Sequence, residues 1–206
     1  MPEREKELQR IETFSDGVFA IAVTLLILEV KVPHQEEIEA AGGLLKALLH
    51  LWPSYLAYVL SFGSILIIWI NHHRTSKLLA RSSKTYMFSN GFLLLTVTFI
   101  PFPTAILAEY ITEPNANVAV MFYSSGYLLT NIGFNVWWQS MLRPVYLLKP
   151  DVTKAHVRKL SIQCASGLPV YLTTTIISYW FPIPGLIIIF GLFFLWIGMA
   201  VGSKGE

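Results

Sequence analysis

The sequence predicts an all-α integral membrane protein of six transmembrane helices with both termini cytoplasmic. Three observations predict it. Of 206 residues, 54% are hydrophobic and only 14% charged, whereas a soluble domain carries about 25% charged residues. Six segments approach the ~20 mostly apolar residues that cross ~30 Å of hydrocarbon. Thirteen of the fifteen Lys and Arg residues then fall on one side of a six-span topology, the bias that marks the cytoplasmic face.

The spans are expected at about 14–32, 45–71, 86–110, 118–142, 160–180 and 183–201, forming one domain over residues 1–206. The first opens on "RIETFSDGVFAIAVTLLILEV". Its preceding residues are too polar for a signal peptide, so it should stay in the mature chain as the first helix. The second begins "LLKALLHLWPSYLAYVL", where Lys46 and His50 can reach headgroups and Gly63 with Ser64 gives a small-residue face. The third contains "FIPFPTAILAEY", whose two prolines should bend it. The fourth to sixth are read from apolar length alone.

Basic residues number three in the N-terminal tail (Arg4, Lys6, Arg10), four after the second span (Arg74, Lys77, Arg81, Lys84), five after the fourth (Arg143, Lys149, Lys154, Arg158, Lys159) and one at the C-terminus (Lys204). Lys31 and Lys46 alone face the other side. Glu29, Glu36, Glu37, Glu39, Glu109 and Glu113 gather there and would draw cations weakly toward an outer mouth. The single cysteine, Cys164, permits no intrachain disulfide.

Asp16 sits within about one turn of the inner interface, where a carboxylate still calls for a partner. Arg10 lies six residues before it, ~240° around the helix, and does not share its face. The partner should come from the end of the second span, "WINHHR", which returns to the same depth. Trp69 and His73 stand i, i+4 there with His72 beside them, so Arg10, Ser15, Asp16, Trp69, Asn71, His72 and His73 could satisfy one another. The blander reading, that Asp16 caps its helix and the histidines are merely wetted, carries equal weight on periodicity. A metal site is disfavoured, because adjacent histidines diverge by ~100° and no carboxylate or cysteine spacing accompanies them.

Ile21, Thr24, Leu25 and Leu28 form one stripe along the first helix at i, i+3, i+4 and i+7. A threonine there can simply bond its own i−4 carbonyl. Alternatively the stripe faces the axis of an oligomer as a hydrophobic constriction with a hydroxyl layer, and Gly17 and Ala20 allow close approach or a wider inner mouth. No T-V-G-Y-G filter, P-loop, G-x-G-x-x-G, G-x-S-x-G or H-E-x-x-H occurs, so neither an enzyme nor a carbonyl filter is expected. The absence of a midplane carboxylate and of an inverted repeat counts against a proton-coupled transporter.

These residues resemble the transmembrane protein 175 family of potassium channels. Its R-x-x-x-F-S-D signature is matched by Arg10, Phe14, Ser15 and Asp16, and "GVFAIAVTLLILE", "WINHHR" and "PFPTAILAEY" look like bacterial members. The resemblance implies a homotetramer with the first helix lining a central pore, Ile21 as the narrow constriction, Leu25 and Leu28 as further apolar rings and Thr24 as a hydroxyl layer. It also implies that the motif's arginine and aspartate join the Trp and His of the second span. Expected from it are passive potassium flux, no cofactor, no nucleic-acid partner, lipid and its own copies as partners, and a bacterial cytoplasmic membrane location. A secondary transporter for a cation or small solute, or a non-conducting scaffold, are the rival expectations.

Overall fold

A computed structural model describes residues 3–143 and 147–202, with side chains from 6 to 143 and 147 to 199. Lys204 and the side chain of Arg4, counted above for orientation, lie outside the described residues. The described chain is all helical apart from one isolated β-bridge.

The first helix, α1 (Glu3–Leu25), starts well before the predicted residue 14 and continues as a 3₁₀ turn over Leu26–Glu29. Residues 3–12 are mostly Glu, Lys, Arg, Leu and Gln, all good helix formers, so nothing stops the helix where the hydrocarbon ends. Pro33 stops it at the far end by disfavouring the α conformation of Val32. A short helix not foreseen, α2 (Gln35–Ala41), follows. Glu37 Oε2 caps it by accepting from the His34 backbone N–H at 2.7 Å, and Gly42 closes it at φ +74°.

Proline divides the next two predicted spans. The second becomes α3 (Leu44–His50) and α4 (Trp52–Ser76), parted at Leu51 because Pro53 has no N–H to continue the ladder. The third becomes α5 (Lys84–Phe99) and α6 (Pro101–Tyr110). Pro101 and Pro103 remove two ladder donors there, and the Thr104 hydroxyl bonds the Ile100 carbonyl at 2.8 Å. The last three helices are α7 (Ala116–Leu142), α8 (Lys154–Trp180) and α9 (Pro182–Gly202), close to expectation except that α8 begins at 154 rather than 160.

Five stretches among the described residues are long and apolar enough to cross a membrane: Lys6–Glu29, Trp52–Ser76, Lys84–Tyr110, Lys154–Trp180 and Pro182–Met199. The remaining long helix, α7, has 27 residues and would reach ~40 Å. Several of its polar residues face protein. Ser124 accepts from Thr175, Asn135 donates to the Cys164 carbonyl, Trp138 donates to Ser161, and Ser89 donates to Ser140. Trp137, Trp138, Tyr123 and Met141 of the same helix are fully buried, so α7 is the central pillar of the subunit core. Gly63 of α4 lies against Phe193 of α9, where a Cβ would come to 2.5 Å of the ring; the small-residue face is a packing device.

Loops meet in two groups. Ala80 N–H donates to Leu147 at 2.8 Å and Lys149 N–H to Leu78 at 2.9 Å, clasping the segment after α4 to the one after α7. Ser82 Oγ donates to Glu7 Oε2 at 2.6 Å, which brings the start of α1 to the same end. At the opposite end Lys31 pairs with Glu109 at 3.1 Å and Asn117 donates to the Tyr179 carbonyl at 3.0 Å. Basic clusters thus share one end of the bundle. In a Cys164→Ser background, Arg81→Cys and Lys149→Cys should react with an impermeant maleimide from one side of the membrane only, and Glu113→Cys only from the other. Labelling of all three from one side would overturn the up-and-down order.

Candidate functional site

The α1 helix is built with two unlike faces. Ser15, Phe19, Ala22 and Leu26 are buried against the core. Opposite them Phe14, Ile21, Leu25 and Leu28 keep 64%, 58%, 41% and 69% of their surface exposed. Arg10, Gly17, Ala20 and Thr24 are exposed as well. These positions run along one side of the helix at three- and four-residue spacing, so an apolar face of α1 is left uncovered by the subunit. The 3₁₀ turn at Leu26–Glu29 tightens the C-terminal end without turning Leu28 toward the core. Nothing lies within 4 Å of a Cβ placed on Gly17, so open space adjoins the N-terminal part of this face.

Thr24 does bond its own helix, though one residue nearer than expected. Its Oγ1 donates to the Ile21 carbonyl at 2.9 Å. The hydroxyl's single proton is thereby used, and its lone pairs remain as acceptors on the uncovered face.

Behind this face lies the polar anchor. Asp16 Oδ1 accepts from Trp69 Nε1 at 2.8 Å, joining α1 to α4 as the depth argument expects. The Trp69 indole stacks on His73, with ring centroids 5.7 Å apart. His72 takes a different route. It is fully buried between Phe19 and Trp137, its ring 4.4 Å from the Trp137 ring, and its Nε2 is 2.8 Å from Asn90 Oδ1. Asn90 Nδ2 then donates to Ser15 Oγ at 2.9 Å, and Ser15 Oγ donates to the Ile11 carbonyl at 2.9 Å. Asp16 and Ser15 therefore hold α1 from two sides, through α4 and through α5.

Asn90 and Trp137 were not among the expected residues. The signal for Asn90 was present in "SNGF", a polar pair at the start of the third span and at the same depth as Asp16. Trp137 carries no sequence signal beyond its size. Arg10 and Phe14 point along the uncovered face, and Asn71 is half-buried; no hydrogen bond joins Arg10 or Asn71 to Asp16 among the described residues. No group of three His, Cys, Asp or Glu side chains is placed to hold a metal among the described residues.

Helices of membrane-spanning length, polar groups paired internally and apolar side chains exposed on α1, α4, α5, α8 and α9 define a helical, multi-span integral membrane protein. The profile of the family described as "Endosomal/lysosomal potassium channel TMEM175" matches residues 10–101. A potassium channel of Chamaesiphon minutus is 46% identical over 85% of this chain and 86% of its own length, and one of Streptomyces collinus 44% identical over 78% and 77%. The crystal structure of a lysosomal potassium-selective channel TMEM175 homolog from Chamaesiphon minutus superposes with a TM-score of 0.85, at 41% identity over 95% of this chain and 98% of that one. The human endosomal/lysosomal proton channel TMEM175 is 26% identical over 82% of this chain, which spans 36% of its length. The chain belongs to the TMEM175 family.

Trp69→Phe keeps an aromatic ring at the anchor but removes its donor. An unsatisfied buried acceptor costs about 1–3 kcal/mol, so this variant should unfold at a lower temperature in detergent than the parent. Asp16→Ala should be destabilising too, and Trp69→Phe should add little on top of it. Fully additive losses would mean that the two side chains are not coupled. Glu113→Ala, exposed at the other end, should change nothing.

Proposed function

We propose that this chain assembles as a homotetramer in a bacterial cytoplasmic membrane and conducts potassium passively, with α1 lining a central pore. The uncovered apolar face of α1 is the observation that carries the reading. A face of Ile21, Thr24, Leu25 and Leu28 that no part of the subunit covers fits a pore wall built from copies of itself. In this reading all six long helical segments cross the bilayer, including the polar α7, and both termini are cytoplasmic, in keeping with the shared basic end.

Side-chain rings would then do what carbonyl rings do in other filters. An apolar constriction forces an ion to shed water, and a hydrophobic ring gates by dewetting. Potassium holds its hydration more loosely than sodium and should pass more readily. Ile21 is assigned the narrowest ring, Leu25 and Leu28 the outer apolar rings, and Thr24 a layer of hydroxyl oxygens whose lone pairs face the ion. Such a filter discriminates modestly. Ser15, Asp16, Trp69, His72 and His73 are assigned to positioning α1 rather than to touching the ion, while Arg10 and Phe14 stand at the start of the uncovered face and Asn71 has no assigned contact to the anchor. The names of the bacterial relatives, both potassium channels, support the choice of ion.

Reconstitution tests this directly. Potassium-loaded liposomes should lose potassium down its gradient without ATP or a second ion, and Ile21→Asn should change the potassium-to-sodium permeability ratio. Flux that depends strictly on a counter-ion gradient would indicate a transporter, and no flux at all a scaffold. Native mass spectrometry should report four copies of the 23.3 kDa chain.

A further inference from the structure

The seven residues of α3 are surplus to the span that follows them. In α4 the stretch 52–70, ahead of the polar Asn71, His72, His73 and Arg74, already supplies the ~20 mostly apolar residues that hydrocarbon requires. Leu51, at ψ 9°, breaks the helix just before it, and Trp52 stands at the join, where interfacial aromatics belong. This places α3 at the level of the headgroups, at the end of the bundle away from the loop clasp.

At about 100° per residue the side chains of α3 divide into three arcs. Ala47 and Leu51 turn toward the protein, Ala47 being buried and Leu51 half-buried. Lys46 and His50, both exposed, occupy a second arc. Leu44, Leu45, Leu48, Leu49 and Trp52 fill the third and are 38–72% exposed. The helix before it is of opposite character. In α2 Glu36, Glu37 and Glu39 are all exposed. The two helices pack together across Gly42 and Gly43, which turn the chain at φ +74° and +127°. Lys46 Nζ reaches back to this turn, 3.6 Å from where a Cβ on Gly42 would stand.

We infer that α3 is an interfacial helix whose leucine arc inserts at the boundary between the headgroups and acyl chains of the bilayer, with α2 on its water side. The inference rests on the membrane-spanning class, not on the ion or the copy number of the proposed channel. Two observations select lipid as the occupant. The exposed arc runs on into α4 through Tyr55, Val59 and Phe62 at three- and four-residue spacing, so it is continuous with the surface of a candidate membrane span. The chemistry also follows the order of a bilayer surface. Leucines match acyl chains, Lys46 and His50 match phosphates, and the carboxylates of α2 match water. Five large apolar side chains left in water at that level would form the kind of patch that marks a binding surface.

Spin labelling of the whole chain in phosphatidylcholine–phosphatidylglycerol liposomes tests this. In a Cys164→Ser background, nitroxides on Leu45→Cys and Leu49→Cys should be relaxed more by oxygen, which concentrates among acyl chains, than by a water-soluble nickel chelate. A nitroxide on Glu36→Cys should show the reverse, with the ratio of the two effects several-fold lower. Protection of 45 and 49 from both reagents would mean that protein covers them, and stronger relaxation by the chelate would put them in water; either result overturns the inference. A wild-type structure in lipid nanodiscs decides the same question without substitution. The α3 leucines should face the rim of the lipid belt, and a neighbouring copy or bulk solvent against them would equally overturn it. Neither readout involves ion flux, so failure here is distinguishable from failure of the channel reading.

Discussion

A polar side chain carried into hydrocarbon must find its partner inside the protein, and in this chain that constraint sets the first helix. Ser15 and Asp16 are adjacent, so their side chains leave α1 about 100° apart. One reaches Asn90 of α5 and the other Trp69 of α4. Two bonds at different points on the circumference oppose rotation of the helix about its axis as well as sliding along it. The buried set Phe19, Ala22 and Leu26 agrees with that setting. The face bearing Ile21, Thr24, Leu25 and Leu28 is uncovered as a direct consequence.

The same constraint explains α7. A helix in contact with lipid must be apolar nearly all round, but one surrounded by other helices can carry polar groups if each is met. Ser124, Thr130, Asn135, Trp138 and Ser140 are met by α5, α8 or the helix's own backbone. This is how α7 carries polar groups along its length while being the most central helix. The buried hydroxyl set of Ser61, Thr104, Tyr123 and Tyr127, linked at 2.7–3.2 Å, repeats the pattern deeper in the bundle. Such bonds between membrane helices average well under 2 kcal/mol each, so their role here is to specify which faces meet more than to supply stability.

In the proposed channel these features divide the work. The polar inner end fixes the rotation of α1, and the apolar remainder presents side chains to the ion path. A one-residue error in rotation would move Ile21 and Leu28 off the axis and bring Ala20 and Ile27 toward it. The loop clasp through Leu78, Ala80, Leu147 and Lys149 holds the ends of α4 and α7 together. That keeps Trp69, His72 and Trp137 in register behind α1. Selectivity, in this view, depends on residues that no ion touches as well as on the rings that face it.

Much of this was legible in the sequence. Apolar length located the long helices to within a few residues except where helix and hydrocarbon end at different places, as at residues 3–13 and 154–159. The need of Asp16 for a partner at equal depth pointed to the stretch holding Trp69, Asn71, His72 and His73, because span length and direction are one-dimensional properties that hydropathy encodes. Depth alone could not separate Trp69 from His72 and His73, nor single out Asn90, since it says nothing of azimuth. Which face of each helix meets which neighbour depends on side chains from three or four segments packing at once. Hydropathy and charge pattern are enough for the class, the long helices and the polar level at which α1 is held. That His72 turns to Asn90 and Trp137, that α7 is the central pillar, and which side of α1 stays bare come from the packed fold, because azimuth is fixed by non-local packing.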